Sequence, residues 1–157
     1  MATNLNNMPT DIQQLIPMIE HTTTTLDAMP AAWSADAGYA SNANLEYARG
    51  LEASGETEFF ISTRRMKHDA SIPEAPRGRI AKDATVTERM ARKLKTKKGP
   101  ETYARRKAIV EPVFGQINTR QGKHFLLRGL DKATAEWDRL AGCHNLLKLF
   151  RHRTATA

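Results

Sequence analysis

The first 62 residues of the chain predict an α/β protein with a small parallel sheet. Signals for a helix, a strand, a second helix and a second strand follow one another there, and this alternation is typical of parallel sheets covered by helices. From residue 101 onward the apolar residues recur at helical spacing, so we expect a helical C-terminal part. Apolar residues make up 40% of the 157 positions, which is enough for a core.

The first helix is predicted to begin at Thr10 or Asp11, since either side chain can cap it. A stripe of isoleucines and leucines then follows at positions 12, 15, 16 and 19. Pro17 lies inside this stripe and is expected to kink or split the helix. The segment HTTTTLDAMP, residues 21–30, is expected to be a loop or a frayed helix end.

Two strands and a helix are predicted next. The short apolar segment AAWSAD predicts a buried strand that ends at Asp36, with Gly38 in the following turn. Ser41 can cap a helix of residues 42–53, which Gly55 would close. The run EFFIS, residues 58–62, predicts a strand covered on both faces.

The middle of the chain is rich in proline, glycine and charge. Residues 63–84 show no clean periodicity, and we expect an irregular exposed loop there. Thr85 and Glu88 match a capping box, so a helix should follow, and Gly99 and Pro100 should end it.

The remaining segments predict helices. One begins near Glu101 and is bent by Pro112, and the last begins near Asp131 and frays over residues 151–157. We therefore expect three parts, listed by residue: an α/β core at 1–62, a basic loop and helix at 63–100, and a helical C-terminal part at 101–157.

The charge of the chain is distributed unevenly. Residues 1–62 have a net charge of −7, whereas residues 63–157 have a net charge of +14. From Arg64 to Lys107 there are 15 basic and five acidic residues. This asymmetry favours a polyanion partner, nucleic acid above all, and the alternative is a solvated basic surface that maintains solubility.

Several classes of protein are disfavoured by what the sequence lacks. It has no apolar run of about 18 residues and no secretory signal, so we expect a cytoplasmic protein without a membrane span. The single cysteine, Cys143, excludes an internal disulfide and is interpreted as a small buried residue. His144 is interpreted as a packed core histidine, because it lies on the apolar face of the last helix.

Two carboxylates are candidates for chemistry. Asp36 follows a predicted strand, and ligands gather at the carboxyl ends of strands in open α/β sheets. Glu111 lies in a helix next to a cluster of basic residues. The structural alternatives are a turn cap for Asp36 and a weak surface pair with Lys107 for Glu111.

Three segments resemble the DDE transposases of bacterial insertion sequences. They are SADAGYAS, YARRKAIVEPVFGQI and HFLLRGLDKATAEWDRLAGCHNLLKLF, and the resemblance extends from about residue 3 to residue 150. The middle segment has a tyrosine, an arginine and a glutamate at the family's spacing, here Tyr103, Arg106 and Glu111.

The resemblance implies an RNase H-like catalytic domain in which three acids hold Mg²⁺ or Mn²⁺ for two-metal phosphoryl transfer. Asp36 would be the second acid and Glu111 the last, brought together by folding. The family's first strands and first Asp would precede Met1, so the fold is expected to be incomplete. Asp11 and Asp27 are better explained by a helix start and a loop than as the missing ligand.

The resemblance also implies DNA contacts. Basic residues before the glutamate would position the phosphate backbone, and Asn118 occupies a position where the family usually has a lysine. The expected DNA-binding residues are Arg64, Arg65, Tyr103, Arg105, Arg106, Lys107 and Asn118.

The sequence therefore predicts the C-terminal fragment of a nucleoid-associated transposase. Alone, the chain is expected to be inactive because it lacks the first acid. One alternative is a non-catalytic module that binds DNA or interferes by assembling with full-length transposase or with itself. Another is an unstable fragment whose open sheet edge favours aggregation.

Overall fold

The computed structural model describes residues 5–63, 76–122 and 124–155. The chain divides into two compact units. The first unit is Thr10–Arg106, and the second unit consists of Met1–Pro9 together with Lys107–Ala157. The elements of the described residues are α1 (Leu15–Leu26), β1 (Ala32–Ala35), α2 (Asn42–Glu52), β2 (Glu58–Ile61), α3 (Val86–Lys93), α4 (Lys98–Ile109), α5 (Glu111–Gln121) and α6 (Leu130–Ala155), with 3₁₀ turns at Ile12–Gln14 and Ala37–Tyr39.

The two strands form the predicted parallel sheet, with Ala32 opposite Glu58 and Ala35 opposite Ile61. Strand β2 is covered on both faces, as expected, because three consecutive residues, Phe59 to Ile61, are each at most 1% exposed. The prediction of a buried β1 is wrong. Its residues alternate between exposed and half-buried, which is the pattern of a strand with one solvated face.

The core of the first unit lies between the sheet and three helices. Trp33 of β1 stacks on Phe59 of β2, with ring centroids 5.9 Å apart. Such stacking stabilises the pair beyond the burial of its apolar area. The buried cluster consists of Leu15, Ile19, Leu45, Ala48, Phe59, Ile61 and Met90.

Helix α1 differs from the prediction at both ends. The segment is divided into a 3₁₀ turn and an α-helix, and Pro17 lies in the first turn of the helix, where its missing N–H costs little. Of the two expectations for residues 21–30, a loop or a frayed helix end, the loop is wrong for the threonines, because the helix continues to Leu26. The hydroxyls of Thr23 and Thr25 donate to carbonyls one turn earlier, at 2.8 and 2.7 Å.

The predicted caps of α2 and α3 are confirmed. The Ser41 hydroxyl accepts from the Asn44 amide at 3.2 Å. Thr85 accepts from the Glu88 amide at 3.2 Å, while the Glu88 carboxylate accepts from the Thr85 amide at 2.8 Å. The hydrogen bonds that the Thr85 amide and hydroxyl donate to the Glu88 carboxylate lower the pKa of Glu88 below its ordinary value. Both helices therefore begin where their side chains satisfy the first backbone amides.

The structure has two helices where the sequence predicts one bent at Pro112. Helix α4 ends at Ile109 and α5 begins at Glu111, which places Pro112 in the first turn of α5. Helix α4 also begins before Glu101, at Lys98. Its Gly99 packs so tightly that a Cβ there would lie 2.5 Å from the Lys93 carbonyl oxygen.

Helix α6 begins one residue before the predicted Asp131 and continues to Ala155, so the expected fraying from residue 151 is wrong. His144 is 2% exposed and is confirmed as a core histidine. Cys143 is exposed, contrary to the prediction. It lies next to the buried His144 in the helix but faces away from the packed side. Trp137 stacks on Phe114 of α5 at 6.0 Å between ring centroids.

Candidate functional site

Asp36 lies where the sequence predicts it, directly after β1, and its carboxylate caps the 3₁₀ turn that follows. Its Oδ1 accepts a hydrogen bond from the Gly38 amide at 2.9 Å. A Cβ at position 38 would lie 3.1 Å from that oxygen, so glycine suits this close approach. The turn-cap interpretation of Asp36 is therefore correct, and it leaves Oδ2 available to other partners.

Arg106 is the partner of that second oxygen. Its Nη2 lies 3.8 Å from Asp36 Oδ2, and the two side chains are 27% and 52% exposed. Its Nη1 donates to the Tyr103 hydroxyl at 2.7 Å. The guanidinium carbon is 5.2 Å from the centroid of the Tyr103 ring. The first unit thus brings together three of the predicted site residues.

Tyr39, on the 3₁₀ turn after Asp36, is an addition that the sequence does not reveal. Burial raises the pKa of its hydroxyl, Asp11 and Asp36 raise it further, and Arg106 opposes them. The Asn44 side chain fixes this turn, since its Nδ2 donates to the Tyr39 and Ile12 carbonyls at 2.8 and 2.7 Å. The segment SADAGYAS contains Tyr39, but the sequence assigned this residue no role, because its environment depends on the fold.

Glu111 belongs to the second unit, where it is the first residue of α5 and is exposed. An acid in the first turn interacts favourably with the helix dipole. The side chain of Lys107, its predicted surface partner, lies outside the described residues. Asp36 belongs to the other unit, so the predicted approach of the two carboxylates stays a prediction.

The other predicted DNA contacts are placed separately. Arg105 is well exposed and lies 3.5 Å from Glu101, one turn away. Asn118 is exposed on α5 and borders a cavity of about 60 Å³ that Trp137 also lines. Arg64 and Arg65 lie outside the described residues, and so does the side chain of Lys107.

Several basic residues in 77–98 have structural partners that charge counting does not detect. Arg89 donates to the carbonyls of Ala84 and Lys82 at 3.0 and 2.8 Å. Arg92 donates to the Gly78 carbonyl. Two lysines form ion pairs: Lys93 with Glu52 and Lys98 with Glu58.

Comparison with known families gives the chain its class. Residues 72–150, just over half of the chain, match the family model described as Transposase DDE domain. The chain belongs to this family, which confirms the resemblance found in the sequence and associates the chain with DNA transposition. The match includes Tyr103, Arg106, Glu111 and Asn118, whereas Asp36 lies outside it.

The other comparisons find no relatives. None of the curated proteins matches the chain, and neither does any solved structure. None of the helices in the described ranges is both long and apolar enough to span a bilayer.

Transposase DDE domains generally use a divalent metal ion, which needs several acidic side chains close together. Among residues 5–63, 76–122 and 124–155, no three His, Cys, Asp or Glu side chains lie close enough together to hold an ion. The Asp36 carboxylate already faces a guanidinium and a backbone amide. Within each unit, the described residues therefore supply no two-metal centre of their own.

Proposed function

We propose that this chain acts in DNA transposition as the C-terminal part of a DDE transposase catalytic domain. In the complete transposase that domain would cleave and join DNA by metal-dependent phosphoryl transfer. The match to the transposase family over residues 72–150 carries this proposal, because it contains the tyrosine, arginine and glutamate of the predicted motif.

Within this proposal, Asp36 and Glu111 supply two of the acids that bind Mg²⁺ or Mn²⁺. The helix–strand–helix–strand order of the first unit supports an RNase H-like core, since its two strands are parallel. A sheet of two strands is marginal by itself, so we expect further strands to complete it.

We expect the chain alone to be inactive as a nuclease, because two acids without the family's first Asp should not support two-metal chemistry. The test incubates the full chain with supercoiled DNA carrying the element, with Mg²⁺ or Mn²⁺, and measures nicked and joined products. Robust cleavage that Asp36→Ala abolishes would contradict the missing-acid argument and would favour a complete active site.

A second candidate function is DNA binding or interference without catalysis. Exposed cations supply the observation that favours it. Within residues 77–98, all of which the structure describes, four basic side chains form no hydrogen bond or ion pair and so can face phosphates. They are Arg79, Lys82, Lys95 and Lys97. Such contacts position DNA but do not read its sequence.

Salt dependence tests the DNA-binding candidate. Neutralising phosphates releases counterions, so about six contacts predict a log–log slope near −5 for affinity against salt. Binding that is tight, sequence-tolerant and steeply salt-dependent would support it, whereas a flat response would exclude it.

Co-expression with full-length transposase separates the two candidates. A fragment that co-assembles with transposase or competes for DNA should lower the transposition frequency of a marked element. No change in frequency, together with steep salt dependence in the binding assay, would limit the chain to DNA binding.

A further inference from the structure

The connection between α5 and α6 has a defined structure. We call residues 124–129 the leucine loop. The Glu136 carboxylate on α6 accepts hydrogen bonds from the Leu126 amide at 3.0 and 3.1 Å and from the Leu127 amide at 2.9 Å. Phe125 packs edge-on against Trp137, with centroids 6.3 Å apart. Side chains on α6 thus fix both the backbone and one end of the loop.

The loop presents its two central leucines to solvent. Leu126 is 79% exposed and Leu127 is 49% exposed. Exposed apolar side chains that cluster on a fixed segment commonly mark a binding surface. A connection that served only to join two helices would gain nothing from this arrangement, because the exposed apolar area is unfavourable in water.

The charge around the loop indicates the partner. Arg128 follows the leucines directly and His124 precedes them, and both are exposed. In the part of the chain that the structure describes, Arg128 forms no ion pair. Residues 107–157 contain nine basic and four acidic residues, a net charge of +5. An apolar tip followed by an arginine, in a basic part of the chain, is complementary to a polyanion that has an apolar interior.

We infer that the leucine loop is a wedge that enters the minor groove of duplex DNA. Leu126 and Leu127 would insert at a base step, and Arg128 would contact the adjacent phosphate or groove floor. Apolar wedges flanked by basic residues unstack base steps and bend DNA in this way. This inference rests on the proposed function, because it requires DNA binding, and it adds the prediction that the chain bends what it binds.

The experiment uses the full chain and a short duplex with a donor and an acceptor dye at its ends. Binding is followed by anisotropy and bending by energy transfer. Leu126→Ala/Leu127→Ala is expected to weaken binding about tenfold, because the burial of two leucines is lost. It should also abolish the rise in energy transfer. Glu136→Gln, which leaves both leucines in place but loosens the loop, should reduce bending more than binding.

The matched control is Leu146→Ala/Leu149→Ala on α6, where two leucines are also well exposed, at 68% and 62%. This control is expected to bind and bend DNA like the wild type. Since each variant shortens exposed side chains, far-ultraviolet circular dichroism should show little change in either.

Four outcomes would overturn the wedge. Wild-type binding without bending, or loop variants that bend DNA normally, would exclude it while leaving DNA binding intact. Loop variants that change only the sedimentation coefficient would assign the leucines to a protein contact instead. Absence of any DNA binding by the wild-type chain would remove the DNA-binding proposal and the wedge together.

Discussion

Arg106 lies between Asp36 and Tyr103: its guanidinium is 3.8 Å from the Asp36 carboxylate and donates to the Tyr103 hydroxyl at 2.7 Å. A predicted acid and two predicted phosphate contacts are therefore partners of one another. Arg106 is only 27% exposed and already contacts both neighbours, so it is less available to a DNA phosphate. Arg105, which is 69% exposed, is more available for such a contact.

The cap at Asp36 predicts a difference between two substitutions. Asp36→Ala removes the oxygen that accepts from the Gly38 amide and should lower the free energy of unfolding by about 1 kcal/mol. Asp36→Asn keeps an acceptor, so its effect should be smaller. Urea denaturation followed by circular dichroism measures both, and equal losses would mean that the cap contributes nothing.

The ion pair between Asp36 and Arg106 is expected to be weak. Asp36 is 52% exposed, so solvent screens the attraction, and a coupling energy of about 0.5 kcal/mol or less is expected. A double-mutant cycle with Asp36→Asn and Arg106→Gln measures it. A coupling several times larger would show that the pair is a principal stabilising contact of the first unit.

The lysines in the α3–α4 turn should contribute to DNA binding. Lys95→Gln/Lys97→Gln is expected to reduce the steepness of the log–log salt dependence by about two, because two phosphate contacts are lost. Arg89→Gln is the control, since that side chain caps backbone carbonyls. It should reduce stability by about 1 kcal/mol and leave the salt dependence nearly unchanged. A larger change in salt dependence for Arg89→Gln than for the lysine variant would contradict the assignment of Arg89 to structure and of the lysines to DNA binding.

Two glycine substitutions should have opposite effects on stability. Gly99→Ala places a Cβ 2.5 Å from the Lys93 carbonyl oxygen and must shift backbone, so it should be destabilising. Gly50→Ala in α2 meets nothing within 4 Å and should stabilise by about 0.5–1 kcal/mol, because alanine favours helix. Thermal unfolding of the two variants compares them directly, and a neutral Gly99→Ala would mean that the turn adapts.

The capping box makes stability depend on pH. Hydrogen bonds from Thr85 lower the folded pKa of Glu88 below its ordinary value of 4.5. The stabilising contribution is therefore complete above pH 4.5 and is lost as the pH falls through the lower, folded pKa. The free energy of unfolding should be measured against pH for the wild type and for Glu88→Gln. The difference between the two proteins should shrink in this acidic range. A difference independent of pH would argue against the carboxylate's role.

Local signals in the sequence predicted much of the fold. Ser41 and the Thr85–Glu88 pair identify helix starts because capping involves only a few neighbouring residues. The apolar run Phe59–Ile61 identifies a strand covered on both faces. The extent of α1 was missed because Thr23 and Thr25 disfavour helix intrinsically, yet their hydroxyls bond back to the preceding turn.

Features that depend on tertiary structure could not be predicted. Counting basic residues does not separate Arg89, which holds carbonyls, from Lys95, which is exposed. The exposure of Cys143 and the position of Tyr39 beside Asp36 likewise depend on which faces pack. The candidate acids Asp36 and Glu111 were recognisable from the resemblance to the family. The distance between their carboxylates depends on the fold and cannot be read from the spacing of neighbouring residues.

The glycine turn after β1 has a consequence for any group that approaches Asp36. Oδ1 accepts from the Gly38 amide, and Oδ2 faces the Arg106 guanidinium at 3.8 Å. A cation that approached through Oδ2 would therefore have to displace Arg106, and the main chain of the turn would set the direction from which it binds.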